Sequence, residues 1–141
     1  TLVRNSHPLH WDHGYCQENS FKKDRIVYGG LVLSWTLAMA SWDTGGNAIW
    51  ELGLDEGAHP APVLANDTLY AASKVLSVKE TGQFTGDVTF RVVGVKNVHP
   101  EALIADGRDL FTAERAKKDK ADRVPEKVVE ITRTVMFRRS R

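Results

Sequence analysis

The sequence predicts an α+β domain in which a long-stranded antiparallel sheet wraps one apolar helix. Three observations predict it. No charged side chain falls between Tyr28 and Trp42, where hydroxyls are the only side-chain polarity, and the run opens on the pair Gly29-Gly30. Two alternating stretches follow, over residues 67–80 and 87–96, with turn chemistry at 82–86 between them. The chain closes on a third, over residues 127–138.

The elements follow in chain order. In residues 1–16, Pro8 disfavours helix at His7 but suits a first helical position. Residues 9–16 are therefore expected to make a short helical turn, capped by Asn5 or Ser6. Residues 17–27 are polar until Ile26 and Val27 lead into the glycines. The run from Gly29 onward is too short to span a bilayer, which needs roughly 20 apolar residues. Its Leu, Ala and Met content favours helix over strand. An all-apolar helix is expected to be sheathed by protein on every side. Its glycine entry leaves backbone N–H groups free at the positive end of the helix dipole.

Asp43-Thr44-Gly45-Gly46-Asn47 ends the helix. Residues 48–62 read as irregular, broken by Gly53, Gly57, Pro60 and Pro62. Leu69, Ala71, Ser73 and Val75 then share one face of a strand, and the stretch over 87–96 is its hairpin partner. Residues 107–123 are dense in charge and read as a solvated loop or short helix. The sharper reading is that two or three of Arg115, Lys117, Lys118, Lys120 and Arg123 meet phosphate groups of a ligand. The last strand carries Val129, Ile131, Val135 and Phe137 on one side, and Glu130, Thr132, Thr134 and Arg138 on the other.

At 141 residues the chain fits one domain, 1–141, with a single core. A net charge of +1 points to neither nucleic acid nor membrane. The single Cys16 excludes an internal disulfide framework and suits a reducing compartment. With no signal peptide or transmembrane run, the expected location is the cytoplasm. The chain opens on Thr1 and directly on a motif-like stretch, so a fragment or one repeat of a longer protein is expected.

Chemistry-bearing residues concentrate at the start: Asn5, His7, His10, Asp12 and His13. Three histidines beside an aspartate raise the possibility of a metal, but the spacing matches no zinc signature, and no metal or cofactor is expected. Asp12 suits a helix start, where a carboxylate complements the dipole.

Asn5-Ser6-His7-Pro8-Leu9-His10-Trp11-Asp12 resembles the motif of the MaoC-like, or (R)-specific, enoyl-CoA hydratases: Gly-Asp-x-Asn-Pro-hydrophobic-His, with a small residue further on, where Cys16 stands. Arg25-Ile26-Val27-Tyr28-Gly29-Gly30-Leu31 resembles that family's Ile-Val-His-Gly-Met turn into its central helix. Pro62-Val63-Leu64-Ala65-Asn66-Asp67-Thr68-Leu69 is similar to its Pro-x-x-x-Gly-Asp-Thr-Leu entry into a long strand. The landmarks stand in family order and cover most of the chain from residue 5 to about residue 96.

The resemblance implies a hot-dog fold, an acyl-CoA thioester ligand, reversible hydration of a 2-enoyl-CoA, and pairing of hot-dog units as a homodimer or as repeats. Within the family it is the subgroup acting on branched or dicarboxylic substrates, such as mesaconyl-CoA (2-methylfumaryl-CoA), that looks nearest. His10 falls on the family's catalytic histidine, while Tyr28, Gly29 and Gly30 fall at the substrate-binding helix entry.

Three positions depart from the pattern. Asn5 stands where the family has its acid/base Asp, His7 where it has Asn, and Arg4 where it has Gly. Hydration needs a base for water, an acid for the α-carbon and a stabiliser for the enolate oxygen. Asn5 cannot exchange a proton, so it is left to orient water or His10, and the partner of His10 is His7, Asp12 or a residue supplied by the fold. Two rival readings stand beside hydration. One is a non-catalytic half of a double hot-dog protein. The other is a thioesterase, for which the helix offers only Ser34, Thr36 and Ser41. Trp35 and Trp42 either narrow an acyl pocket or belong to the core.

Overall fold

The computed structural model describes residues 3–139. A 3-10 turn at Pro8–His10 leads into a short helix, α1 (His13–Asn19), and then the apolar helix α2 (Gly29–Met39) with a further turn, α3 (Ser41–Thr44). Four strands follow: β1 (Ala48–Ala58), β2 (Leu69–Glu80), β3 (Thr85–Lys96) and β4 (Lys127–Arg138), with helix α4 (Pro100–Ala105) after β3. They form one sheet in the order β1-β4-β3-β2, with every neighbouring pair antiparallel. The expected hairpin of β2 with β3 is present, and the sheet curls around α2 in the hot-dog manner.

Alternation assigns the two faces of the sheet. Phe90 and Val92 of β3 and Ile131 and Val135 of β4 point to α2, where they bury Ala40 and meet Leu33 and Leu37. Lower on the same face Val32 packs against Val63, Val128 and Val129. Helix and sheet approach closely at Gly94. A Cβ there would lie 2.5 Å from Thr36 Oγ1 and 2.7 Å from Val129 Cγ1, so a residue without a side chain is required.

Two expectations are corrected here. Residues 48–58 are strand rather than irregular. β1 lies at the sheet edge and is bonded only to β4, and its register slips at 48/50, 51/53 and 55/58. Bulges at an edge accommodate the glycines, with Glu56 at φ 52, that would break a central strand. The helix is also not sheathed on every side. Its sheet-facing positions are covered, but Trp35 is 44% and Met39 43% exposed, and Trp42, on the separate turn α3, is 89% exposed. One four-stranded sheet covers only one side of a helix.

On the other face of the sheet, Val93 and Val95 pack under Leu103, Leu110 and Val124 from the segment between β3 and β4. That segment corrects a third expectation, for it is not simply solvated. Glu114 and Lys117 are buried and join Lys127, Glu130 and Arg91 of the sheet in one ionic network. Lys127, with no exposed surface, donates to Thr112 O at 2.9 Å and lies 2.7 Å from Glu114 Oε1 and 3.1 Å from Glu130 Oε2.

Candidate active site

The site is built where three short segments meet at the start of α2. Ile26 N–H donates to Leu9 O at 3.1 Å and Val27 N–H to Val63 O at 2.8 Å, which ties the N-terminal turn and residues 59–63 to the helix entry. Between them lies a cleft of about 300 Å³ lined by His10, Phe21, Ile26, Gly29, His59 and Pro60 among others. Its remaining described walls are apolar or proline, and no carboxylate, lysine or arginine among the described residues lines it.

His10 is half-buried, with its Nδ1 2.7 Å from Ile26 O. A carbonyl oxygen only accepts, so Nδ1 carries the hydrogen of this bond and Nε2 is left without a hydrogen-bond partner among the described residues. The Tyr28 ring stands edge-on at 5.6 Å. His10 and Gly29 thus share one cleft, while Gly30 lies beneath Tyr28, whose Cε1 would be 2.6 Å from a Cβ there. Neither Gly29 nor Gly30 N–H meets an acceptor among the described residues, as expected for a first helical turn.

The other predicted site residues are occupied differently. Asn5 Oδ1 accepts from His7 N–H at 2.9 Å, and His7 Nδ1 accepts from Leu9 N–H at 3.2 Å, so together they cap the 3-10 turn that presents His10. Capping therefore falls to His7, with Asn5 behind it. Asp12 caps α1 by accepting from Tyr15 N–H at 2.9 Å. His13 turns to Asp24, 3.5 Å away. Cys16 packs beneath the turn with its Sγ 3.3 Å from Leu9 O. Burial, aided by Asp12 and Asp24, pushes its thiol pKa up, so it stays protonated.

Ser34 Oγ and Thr36 Oγ1 donate to Gly30 O and Val32 O within the helix, and Trp35 and Trp42 lie outside the cleft. Among the cations of 107–123, Lys117 is buried in the ionic network and Arg115 pairs with Glu56 at 3.0 Å.

Sequence reading missed His59. Its Nδ1 lies 3.2 Å from Val128 O and donates to it, which leaves Nε2 without a hydrogen-bond partner among the described residues, and Nε2 would sit 3.0 Å from a Cβ on Gly29. It falls in a stretch without periodicity, and nothing local in the sequence points from it to the helix entry.

Two left-handed residues explain features of the landmarks. Arg4, at the family's glycine position, has φ 45, and Asn66, at another, has φ 70. Asparagine tolerates this conformation, and arginine is strained in it. Next to Asn66, Asp67 accepts from Leu64 N–H, Lys96 and Asn97. Burial, the largest influence on Asp67, raises its pKa, but these donors together hold it below the ordinary carboxylate range.

No protein-family model and no curated protein matches the chain. Solved structures do. A MaoC domain protein from Chloroflexus aurantiacus J-10-fl, assigned as a dehydratase, is 25% identical with a TM-score of 0.73; the match covers 99% of this chain and 37% of that one. A monoamine oxidase regulatory protein from Archaeoglobus fulgius is 19% identical with a TM-score of 0.71, over 99% of this chain and 77% of that one. The (R)-hydratase PhaJ1 of Pseudomonas aeruginosa is 17% identical with a TM-score of 0.60, over 99% and 73%. The class is therefore a hot-dog domain. More narrowly, it has the MaoC-like form of that fold, in agreement with the landmarks read from the sequence.

Proposed function

We propose that this domain catalyses reversible addition of water to a 2-enoyl-CoA thioester, with His10 as its principal proton-transfer residue and the Gly29 N–H as the site for the thioester oxygen. The observation that carries the reading is the shared cleft. The free Nε2 of a fixed imidazole and an unpartnered N–H at the positive end of an eleven-residue helix line the same small, mostly apolar space. Imidazole exchanges protons near neutral pH, and an N–H in a low-polarity cleft stabilises a developing enolate oxygen. Asn5 and His7 hold the His10 turn. Branched and dicarboxylic acyl groups, 2-methylfumaryl-CoA among them, are the substrate subclass to try first.

The test follows the loss of enoyl absorbance with crotonyl-CoA and 2-methylfumaryl-CoA. His10→Ala is expected to lower the rate by about 10²–10⁴-fold with the far-ultraviolet circular dichroism unchanged. Full activity in that variant removes His10 from the mechanism. Mass analysis of the product separates hydration, which adds water and keeps CoA attached, from thioester hydrolysis, which frees the thiol.

A second reading, a non-catalytic half of a longer two-unit protein, is favoured by Asn5 and by the match to little over a third of the Chloroflexus protein. A gain of activity in Asn5→Asp would support it. Either way we propose that the domain pairs with a second hot-dog unit. Trp42, Trp50 and Val78 are 89%, 67% and 69% exposed on one isolated unit, large apolar side chains that a second unit would cover. Sedimentation of the protein reads this directly.

A further inference from the structure

We propose that His59 is the second proton-carrying group of this site, in the role that Asn5 cannot fill. The inference rests on the hydratase reading above and adds a residue to it.

The candidates named by sequence are otherwise engaged. Asp12 caps α1, and His7 Nδ1 accepts the Leu9 N–H. Neither lines the cleft, and no carboxylate among the described residues does. Among the described residues the ionisable side chains lining the cleft are two imidazoles, His10 and His59, brought together from separate segments of the chain. They are held in the same way: each Nδ1–H is fixed by a backbone carbonyl, of Ile26 in one case and Val128 in the other, which leaves each Nε2 free. Two groups of one chemical kind can divide acid and base work when one is protonated and the other neutral.

Position assigns the roles. His59 Nε2 stands directly over Gly29, so it neighbours the thioester oxygen held by that N–H and the α-carbon one bond beyond the carbonyl carbon. The β-carbon lies a bond further out, toward His10. In hydration, the water oxygen bonds to the β-carbon as its proton passes to His10 Nε2. The π electron pair moves through the enolate, and the α-carbon takes the proton from His59 Nε2. His10 ends protonated and His59 neutral, and proton exchange with solvent restores the starting pair. Dehydration runs the same steps backward.

The groups around the two rings are few. His10 faces Tyr28 and, at 6.1 Å, His7, while His59 faces Gly29 and the Val128 carbonyl. The predicted pH profile therefore belongs to the histidines.

The test measures kcat/KM against pH for the full chain, His10→Gln and His59→Gln, using crotonyl-CoA and 2-methylfumaryl-CoA. The wild-type profile is expected to be bell-shaped. His59→Gln is expected to lose about 10²–10⁴-fold and to lose the alkaline limb, because the group that must be protonated is gone. His10→Gln is expected to lose the acidic limb instead. His59 lies at the surface, so its replacement is expected to leave the fold intact, which circular dichroism reads. If the wild type hydrates and His10→Gln is inactive while His59→Gln keeps the wild-type rate and profile, this proposal falls and the hydratase reading stands. A wild type that hydrates no thioester overturns both.

Discussion

The outer face of the sheet and the cleft at the start of α2 treat ionisable side chains in opposite ways. On the outer face, under the segment between β3 and β4, charges are buried and engaged. Lys127 has an oxygen for each of its three N–H donors, and Glu114 accepts from Lys117, Lys127 and Val124 N–H. Burial is the largest influence on Glu114 and raises its pKa, but those donors outweigh it and hold the carboxyl below its ordinary range. At the start of α2 the cleft is lined, among the described residues, by no carboxylate, lysine or arginine but by two imidazoles whose Nε2 atoms have no hydrogen-bond partner. A group whose every lone pair and hydrogen is matched serves structure, and one with a free nitrogen beside an unpartnered N–H is available for chemistry. A perturbed carboxylate is therefore no guide to the site in this protein.

The sharpest way to break this comparison is to remove the ammonium at the centre of the network. Lys127→Met leaves Glu114 and Glu130 buried without their shared cation, and is expected to destabilise the fold by about 3–5 kcal/mol in urea unfolding. A loss below about 1 kcal/mol would mean that the network is better solvated than its burial implies.

A smaller effect separates a cap from a catalyst. Asp12→Ala is expected to cost about 1 kcal/mol of stability, the usual worth of an N-cap, with the hydration rate per folded molecule unchanged. A rate loss of about 10²-fold would place the carboxylate in the chemistry and weaken the claim for His59.

The smallest effect is a pH dependence. Glu114 has a folded pKa below its unfolded value, so its stabilisation is fully present above the unfolded value, about 4, and is lost as pH falls through the folded one. Stability followed by thermal melting is expected to decline in that acidic window, and Glu114→Gln to flatten the decline. An unchanged acid limb would assign it to Asp67 and Asp109, which are depressed in the same direction.

Much of the fold was legible because its signals are local. The charge-free run after Gly29-Gly30 and the alternation over 67–80, 87–96 and 127–138 each state a period that a backbone can obey alone. β1 was not legible, because its glycines read as breakers until an edge position and bulges accommodate them. Of the site, His10 stood out through its place beside Pro8 and its resemblance to the MaoC-like motif. His59 did not, since what singles it out is the approach of residues 59–63 to α2 across the sheet.

The amino-acid order alone determined where α2, β2, β3 and β4 run, which end of α2 is free of side chains, and that an amide, Asn5, stands where the MaoC-like motif has an acid. Only tertiary structure decided which titratable groups are matched and which remain open. That difference depends on atoms far apart in the chain meeting at hydrogen-bond distance, as Lys127 meets Glu114 and His59 meets Val128 O.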